Sequence, residues 1–443
     1  MSNIEPTING TAKLTTPLPH RLGVGEGLGL SVSSETGRLR AVLLHRPGVE
    51  IERMTPLNCA HALYSDILDR MNVDIEYDRF RGVLEKWAKV YYVQDILEQL
   101  LQDDAIREHL VTESVFNYGH RPIKLSGSIN DRLCEELMGM TPQKLARTLI
   151  EGYEDPQWMG GSNNRYLLEP LYNLLFTRDA SSTIYDRVLI NSMSFEVRER
   201  ESLIYEAIFR NYFGVQTLNA SAWNPRARTE GGDIHIAAPD LLVVGEGVRT
   251  NAKGIEFLAQ TFAKERQEPF YILVQELPRE PESFIHLDMV FTFLGQHECM
   301  VFEPMLRKQG LFAGCDTTLI TVKSGRISYR PVSDLLAGLR HLDWEVEPIY
   351  GGGYDPWVQL REQWHSGANF FSLGDGKVLG YRRNAYTIEA LDKAGFAVLQ
   401  AKDICSGKVQ MDNYPKFVAV FPASELPRAG GGARCMTMPI CRE

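Results

Sequence analysis

A chain of 443 residues with 44% hydrophobic and 10% aromatic residues is long enough to bury a large core, so we expect a globular protein of up to three domains. Its formal charge of -10, without a block of like charges or a stripe of lysine and arginine, argues against a nucleic-acid partner. The polar start and the lack of an apolar run of membrane-spanning length predict a cytoplasmic protein without a membrane partner.

The chain begins with a lead-in, residues 1–35, that is rich in Thr, Gly and Ser and is expected to be flexible. It includes the glycine-rich stretch GVGEGLGL at residues 23–30, which follows no predicted strand and therefore indicates a loop instead of a phosphate-binding turn. Residues 36–443 are expected to form the main body. Residues 95–159 interrupt that body with helix-like segments, LEQLL, IREHL, DRLCEELMGM and KLARTLIEG, which predict a helical insertion.

Elsewhere in the body, apolar runs typical of strands alternate with amphipathic stretches typical of helices. The helical stretches include ESLIYEAIFRNYF and NAKGIEFLAQTFAKE, in which apolar residues recur at helical spacing. The strand candidates are centred on Val42, Val243, Ile272, Val301, Ile320 and Val418. This alternation predicts an α/β fold.

The seven cysteines are odd in number, scattered and without a CxxC pair, as expected of free thiols in a reducing compartment. Most have apolar neighbours and are interpreted as small core residues. Cys435 differs because three consecutive glycines, residues 430–432, precede it and allow a ligand to approach the backbone closely. A flexible tail would explain the same glycines, so the assignment of Cys435 depends on its predicted partners.

Four polar clusters stand at predicted strand ends or glycine-rich turns, where loops on a rigid scaffold usually hold functional residues. They are NLLFTRDAS with Asn173, Arg178 and Asp179, TEGGDIH with Glu230 and Asp233, HLDMVFTFL with His286 and Asp288, and GGGARCMTMP with Cys435. In HLD, residues two apart on a strand would project from one face. Each cluster alone also fits a structural role, such as a surface ion pair, a turn or a buried histidine satisfied by a neighbour.

Together the clusters have the residue types that hydrolysis of a guanidinium group requires. A planar guanidinium presents its donors in a fork that carboxylates match, so Asp179 and Asp288 are predicted to hold it. Cleavage of its C–N bond needs a nucleophile for the carbon and a proton donor for the leaving ammonia. Cys435, Glu230 and His286 have the right types for these tasks.

The chain also resembles the arginine deiminases of the guanidine-modifying superfamily. The matching segments occur in the family's order from about residue 39 onwards, and they are LLHRPG, TPLNC, LYNLLFTRD, EGGD, GEGVRTN, HLDMVFTFL and GGGARCMTMP. HLD or EGGD alone is a weak signal, whereas the ordered set is highly specific.

The resemblance implies a fivefold pseudo-symmetric α/β propeller with a helical insertion, assembled as a homo-oligomer. It also implies conversion of L-arginine, a small-molecule substrate, to citrulline and ammonia without a metal or organic cofactor. Cys435 would attack the guanidinium carbon and form a covalent thiouronium. Asp179 and Asp288 would hold the guanidinium nitrogens. His286 and Glu230 would handle protons, and the bound substrate cation would favour the thiolate of the nucleophile.

The resemblance further implies which residues bind the rest of arginine. Arg198 in FEVRERE and Arg249 in GEGVRTN fall at positions for the substrate carboxylate, an anion that arginine recognises well. Asn173 and Phe176 fall at further substrate-binding positions.

Two positions depart from the family pattern. Many arginine deiminases carry a gating arginine shortly before the cysteine, and Gly430 stands there in this chain. Arg428 and Arg434 are the candidates to replace it, unless nothing does. Ala180 stands where a proline usually follows the TRD aspartate. Both changes concern closure of the site more than its chemistry.

The sequence leaves several alternatives open. An amidinotransferase, a hydrolase of another guanidine or a dihydrolase that yields ornithine would use the same core residues. A metal-dependent hydrolase would instead use as ligands Glu230, His235, His286 and Asp288. A binding protein on an inactive scaffold is the last alternative, and the intact set of acids, histidine and cysteine argues against it.

Overall fold

The structure, a computed structural model, describes residues 29–117, 127–157 and 165–443. Most of the GVGEGLGL stretch and of the predicted lead-in lies outside these ranges, as do two short parts of the predicted helical insertion. Within the described ranges, no helix has both the length and the apolar character needed to cross a membrane.

The described residues form mixed helices and strands. In chain order the strands are β1 (Leu39–Leu44), β2 (Lys89–Tyr92), β3 (Tyr153–Glu154), β4 (Tyr166–Leu168), β5 (Ser181–Ile184), β6 (Arg187–Ile190), β7 (Thr217–Asn219), β8 (Ile234–Ala238), β9 (Leu241–Glu246), β10 (Phe270–Glu276), β11 (Phe291–Phe293), β12 (Glu298–Val301), β13 (Thr317–Lys323), β14 (Arg326–Val332), β15 (Glu347–Tyr350), β16 (Phe371–Gly374), β17 (Lys377–Tyr381), β18 (Ala397–Gln400), β19 (Phe417–Phe421) and β20 (Met438–Arg442). The helices are α1 (Arg70–Trp87), α2 (Val93–Leu100), α3 (Asp104–Phe116), α4 (Gly127–Met138), α5 (Pro142–Glu151), α6 (Glu196–Ala207), α7 (Ala220–Trp223), α8 (Ala252–Glu265), α9 (Glu303–Leu306), α10 (Leu335–His341), α11 (Pro356–Gln363), α12 (Ala385–Lys393) and α13 (Ala401–Cys405).

Five sheets repeat one arrangement, in which an antiparallel pair of strands is extended by a strand parallel to its second member. The five sets are β20–β1–β2, β5–β6–β7, β8–β9–β10, β11–β12–β15 and β16–β17–β19. At least one helix lies between the two parallel strands of each set, because a parallel partner requires a crossover connection. The predicted α/β class is therefore confirmed.

The six strand candidates all fall on observed strands: β1, β9, β10, β12, β13 and β19. β19 is the clearest case, because every residue of its sequence FVAVF is buried. A continuous apolar run is expected of a strand that is covered on both faces of its sheet. β19 lies between two parallel partners, β17 and β18, which explains why its sequence does not alternate.

The helices α2 to α5 occupy the region predicted as a helical insertion, with β3 as the one strand there among the described residues. Their apolar faces contribute Leu97, Leu110 and Leu145 to a core that also contains Leu203 of α6. α5 begins where its sequence predicts, since Thr141 accepts the backbone N–H of Lys144 and proline follows at the first helical position.

The end of the predicted lead-in is packed against the body, contrary to the expectation of flexible chain up to residue 35. Val32 pairs with Tyr185, and Ser31 donates its backbone N–H to the carbonyl of Ile440 in β20. Glu35 is buried, and its carboxylate accepts two hydrogen bonds from the Arg434 guanidinium at 3.0 and 3.2 Å. A bidentate buried ion pair thus attaches this segment to the residue before Cys435.

We expect the Glu35→Gln substitution to lower the free energy of unfolding by about 3 kcal/mol, because it leaves a buried guanidinium without one of its two counter-charges. Arg434 holds the pKa of Glu35 well below its usual range and outweighs the opposing effect of burial. This stabilisation is present above the pKa of the unfolded carboxyl and is lost only in strong acid. Urea unfolding at several pH values from neutral to mildly acidic checks this.

Glu389→Gln is the matched control, because Glu389 forms an exposed ion pair with Lys393 within α12. Its loss should change the free energy of unfolding by less than about 0.5 kcal/mol. Equal stabilities of the two variants would contradict a structural role for the pair of Glu35 with Arg434.

Candidate active site

The predicted site residues come together at equivalent points of the repeated sheets. Asn173 to Asp179 precede β5, Glu230 precedes β8, His286 and Asp288 precede β11, and Cys435 precedes β20. Each therefore lies just before the first strand of one of the five sets. Arg249 follows β9, in a loop whose end is fixed by Asn251, which accepts the backbone N–H of Gly254 at the start of α8.

A single pocket is lined by most of the residues predicted to bind and convert the substrate. They are Asn173, Phe176, Asp179, Arg198, Arg249, His286 and Cys435. Glu230 and Asp288 are fully buried directly behind this lining, in contact with His286 and Cys435 respectively. Long stretches of chain separate these residues, so the tertiary fold assembles the site.

The two aspartates are arranged alike, each with one oxygen held by an arginine of the protein. Asp179 Oδ2 accepts a hydrogen bond from Arg198 Nη1 at 2.7 Å, while its Oδ1 has no hydrogen-bond partner. Asp288 Oδ2 accepts from Arg434 Nη1 at 3.0 Å, and both of its oxygens lie within 3.9 Å of Cys435 Sγ. Each carboxylate is fixed by its arginine, and Asp179 keeps an oxygen without a hydrogen-bond partner at the pocket.

Cys435 is 3% exposed, and its sulfur lies 3.7 Å from Asp288 Oδ2. Burial raises the pKa of the Cys435 thiol well above its usual range, and the charges of Asp288 and Asp179 raise it further. The thiol of the free protein is therefore protonated at neutral pH. A cation placed between the sulfur and the two carboxylates would reverse this effect and favour the thiolate.

His286 and Glu230 form a buried hydrogen-bonded pair. His286 Nε2 lies 2.9 Å from Glu230 Oε2, and the same carboxylate oxygen accepts from Arg249 Nη1 at 3.1 Å. Burial alone would lower the pKa of His286, but the Asp179 charge and the bond to Glu230 outweigh it and raise the pKa to about 9. The histidine is thus a cation at neutral pH, with a proton that it can donate.

The HLD segment differs from the prediction in its local structure. We expected a strand, but residues Leu287–Met289 form a 3-10 turn and β11 begins only at Phe291. His286 caps this turn in extended conformation, and the Leu287 N–H donates to buried Asp233 at 2.9 Å. The turn still directs His286 and Asp288 to the same site. Strand alternation was therefore the wrong reason for their proximity.

Arg178 does not form a surface ion pair with the adjacent Asp179, the structural role that the TRDAS segment alone would allow. It is buried, its backbone N–H donates to the Cys435 carbonyl at 3.1 Å, and its Nε donates to the Arg434 carbonyl at 3.3 Å. Arg178 therefore supports the loop that carries the nucleophile.

The two arginines predicted to bind a carboxylate line the pocket and are paired with acids of the site. Arg198 is bound to Asp179 and also to Glu201, at 2.8 Å. Arg249 is bound to Glu230, and its guanidinium lies 4.5 Å from the centre of the Phe195 ring. These contacts keep both guanidinium groups at the pocket wall.

The gate position is open. Gly430 has φ of 91°, a left-handed conformation that favours glycine, and a Cβ built there would meet no atom within 4 Å. Arg428 is bound to Asp66 and, at 2.9 Å, to Glu425. Arg434 is 1% exposed and is bound to Glu35 and Asp288. Neither arginine lines the pocket, so neither replaces the family's gating arginine in this conformation.

The metal-site alternative fits the geometry only in part. Asp179, Glu230 and His286 each offer a ligand atom within 4.8 Å of the others. His235 is not part of this group: it is fully buried, with its ring 6.0 Å from that of Phe291. The two carboxylates of the group are already bound by arginine cations, and these charges disfavour a divalent metal ion.

A buried thiol beside two arginine-held aspartates and a histidine–glutamate pair, on a fold of mixed sheets, defines the class of guanidine-modifying enzymes. The chain belongs to the arginine deiminase family, whose family model matches residues 61–442. The predicted enzyme class is thereby confirmed.

Relatives named arginine deiminase align with nearly the whole chain. The protein of Pediococcus pentosaceus is 32% identical over 430 residues, which cover 94% of this chain and 98% of the relative. The protein of Limosilactobacillus fermentum is 30% identical over 429 residues, with the same shares covered.

Solved structures with this fold are more distant in sequence. An amidinotransferase of saxitoxin biosynthesis from Microseira wollei superposes with a TM-score of 0.51 at 13% identity, covering 94% of this chain and 97% of that one. The N-terminal domain of ArgZ, an arginine dihydrolase of cyanobacteria, superposes with a TM-score of 0.50 at 12% identity, covering 91% and 98%. These likenesses concern the fold.

Proposed function

We propose that the protein hydrolyses free L-arginine to L-citrulline and ammonia through a covalent thiouronium intermediate on Cys435. The observation that carries the proposal is the placement of the buried Cys435 sulfur 3.7 Å from an oxygen of Asp288, in a pocket that Asp179 and His286 also line. Such an arrangement places a cation, a nucleophile and a proton donor around one carbon atom.

The first half-reaction begins when the substrate guanidinium binds Oδ1 of Asp179, which has no hydrogen-bond partner, and the Asp288 carboxylate beside the Cys435 sulfur. Its positive charge compensates the two carboxylates, so the Cys435 proton is released and the thiolate attacks the guanidinium carbon. Collapse of the tetrahedral adduct breaks one C–N bond. His286 donates a proton to the departing nitrogen, ammonia leaves, and the carbon remains bonded to sulfur as a thiouronium.

In the second half-reaction, water adds to the same carbon. His286, now neutral, accepts a proton from that water, and Glu230 stabilises the imidazolium that forms again, at 2.9 Å. The C–S bond breaks and the sulfur leaves as thiolate, the hydroxyl proton of the adduct then passes to the sulfur, and the neutral urea group of citrulline is released. One water is consumed and one ammonia is produced for each arginine.

The carboxylate end of arginine is proposed to bind Arg198 and Arg249, with Asn173 and Phe176 completing the pocket wall. Both arginines line the pocket, and a planar guanidinium matches a carboxylate in bidentate geometry. Asn173 is held in place, since its Nδ2 donates to the Ala62 carbonyl at 2.8 Å. A substrate without the carboxylate, such as a simple alkylguanidine, would make no ion pair with these two arginines and should be turned over poorly.

The deciding experiment supplies the purified protein with L-arginine and with a panel of other guanidino compounds. We expect citrulline and ammonia in equal amounts from arginine. Ornithine as the main product would indicate a dihydrolase, and transfer of the amidino group to an added amine would indicate an amidinotransferase. Loss of activity with a chelator, but not with a thiol alkylator, would support a metal hydrolase.

We expect kcat at saturating arginine to fall at alkaline pH, because His286, whose pKa is raised to about 9 in the free protein, loses the proton that it must donate. The guanidinium of arginine stays charged in this range, so the substrate does not cause the fall. kcat is the right measure, since the α-amino group of arginine also titrates at alkaline pH and would affect binding. Circular dichroism at each pH controls for unfolding, and a flat kcat well beyond pH 9 would contradict the role of His286.

We further propose that the five repeated sheet sets form a fivefold pseudo-symmetric propeller over residues 36–443, with residues 95–159 as its helical insertion. The repeated strand arrangement supports this architecture. By resemblance to its family, the protein is proposed to act as a cytoplasmic homo-oligomer. Light scattering on the eluate of a size-exclusion column tests the assembly.

A further inference from the structure

We propose that Asn369 is a catalytic residue that binds the Cys435 sulfur and stabilises it as a thiolate, before it attacks the substrate and again when it leaves at the end of the second half-reaction. Its side-chain amide donates from Nδ2 to Cys435 Sγ at 3.1 Å. The inference rests on the proposed function, since it assigns a role in that reaction. Asn369 is 2% exposed and does not line the pocket, so it contacts the sulfur from behind.

The orientation of the Asn369 amide is determined by its other partners. Its Oδ1 accepts the backbone N–H groups of Arg434 at 2.8 Å and Cys435 at 3.3 Å. The flipped amide would direct its NH₂ group at these two donors, so the hydrogen bonds select one orientation. In that orientation Nδ2 faces the sulfur, and it also donates to the Asp288 carbonyl at 3.1 Å. All the hydrogen-bonding groups of the amide are used.

Asn369 also occupies the same place in the fold as the other site residues. It stands shortly before β16, the first strand of the remaining sheet set. The segments before β5, β8, β11 and β20 supply Asp179, Glu230, His286 with Asp288, and Cys435. The fifth set thus contributes a polar side chain at the corresponding point, and its partner is the reacting sulfur.

The chain leaves room for this amide in the loop before the nucleophile. A Cβ built on Gly432 would lie 2.5 to 2.7 Å from three atoms of the Asn369 side chain. The next glycine towards the N terminus is fixed as well, since the Tyr381 hydroxyl donates to the Gly431 carbonyl at 2.9 Å. These contacts fix the position of the loop, so the sulfur and the amide stay within hydrogen-bonding distance.

The amide can stabilise the thiolate, which the acidic neighbours of the sulfur disfavour. Asp288 and Asp179 disfavour a negative charge on Cys435, and the substrate cation that offsets them changes during the reaction. When the C–S bond breaks, the sulfur leaves as an anion next to Asp288, and the product urea is neutral. A fixed N–H donor stabilises that leaving thiolate without having to reorganise.

The test compares Asn369→Asp with Asn369→Ala. Asp keeps the oxygen that accepts the backbone N–H groups of Arg434 and Cys435, but it loses the donor to sulfur and adds a negative charge. Ala loses both. We expect Asp to lower kcat for arginine about tenfold or more with little change in KM, since the residue lies outside the pocket lining.

Alkylation of Cys435 by iodoacetamide, followed by mass spectrometry across neutral and alkaline pH, measures the thiolate directly. We expect the rise of Cys435 alkylation with pH to shift to higher pH in Asn369→Asp, and to shift by a smaller amount in Asn369→Ala. Asn384→Ala is the matched control, because Asn384 is equally buried and its Nδ2 donates to the His365 carbonyl, away from the sulfur. It should behave like the wild type.

A purely structural role predicts the opposite order, with the Asp variant close to the wild type and the Ala variant impaired. That order, or a wild-type alkylation profile in the folded Asp variant, would overturn the proposal. If Asn369→Asp does not fold, Asn369→Ala decides, and a wild-type profile and kcat would overturn it. Alkylation needs no turnover, so failure of the wild type to release citrulline would refute the proposed function separately.

Discussion

Cys435→Ala is expected to lower the rate of citrulline release by at least about 10,000-fold, because it removes the sulfur on which the covalent intermediate is proposed to form. The pocket residues that hold the substrate remain in this variant, so arginine should still bind. Isothermal titration measures that binding, and a citrulline assay measures turnover. Acid quenching of the wild type during turnover should trap a mass increase on the peptide that contains Cys435.

Cys441→Ala is the matched control for this prediction. Cys441 is also buried, and it lies in β20 only six positions further along the chain, but it does not line the pocket. Its removal should leave turnover unchanged. Citrulline release by Cys435→Ala at a rate near that of the wild type would exclude the covalent mechanism, and loss of activity in both variants would indicate a defect of folding.

Asp179→Asn is expected to reduce kcat/KM for arginine by about 1,000-fold, or ~4 kcal/mol. The substitution removes one of the two charges proposed to hold the guanidinium, and it leaves buried Arg198 with Glu201 as its remaining acidic partner. The Cys435 thiolate also loses a neighbour that disfavours it, so alkylation should become easier while turnover falls. Steady-state kinetics and alkylation rates together check these opposite changes.

Citrulline binding provides an internal comparison for the same variant. Citrulline carries a neutral urea group in place of the guanidinium, so its affinity should fall much less than that of arginine. Asp186→Asn is the control, because Asp186 is an exposed acid in the β5–β6 hairpin that pairs with Arg187. An equal loss of affinity for arginine and citrulline would contradict a charge-specific role for Asp179.

The open gate position bears on how the site closes. Gly430 offers no side chain to cover the pocket, and the nearby Arg428 is held by Asp66 and Glu425. We propose instead that the substrate cation compensates the charges of Asp179 and Asp288, so that the Cys435 thiolate forms only when substrate is bound. The loop is thus compatible with a protected thiol even though the gating arginine is missing.

The sequence by itself determined the α/β class and the residue types of the site. The hydrophobic pattern is a local property of the sequence, so β1, β9, β10, β12, β13 and β19 could be predicted from apolar runs. The ordered motif set identified the family, because Asp179, Glu230, His286 and Cys435 each stand in a short recognisable segment. Charge and nucleophilicity indicated that these side chains suit guanidinium chemistry, and the resemblance to the family supplied their predicted roles.

Only the tertiary structure decided what those residues touch. Asn369 stands in SGANFFSL, a segment with no recognisable motif, and the signal that singles it out is its position before β16 in the repeated sheet pattern. Glu35 falls in the predicted flexible lead-in, and only the fold reveals its ion pair with Arg434. The physical reason is that a pKa or an ion pair depends on burial and on charges a few ångströms away. Packing brings those charges together from residues as far apart as 35 and 434.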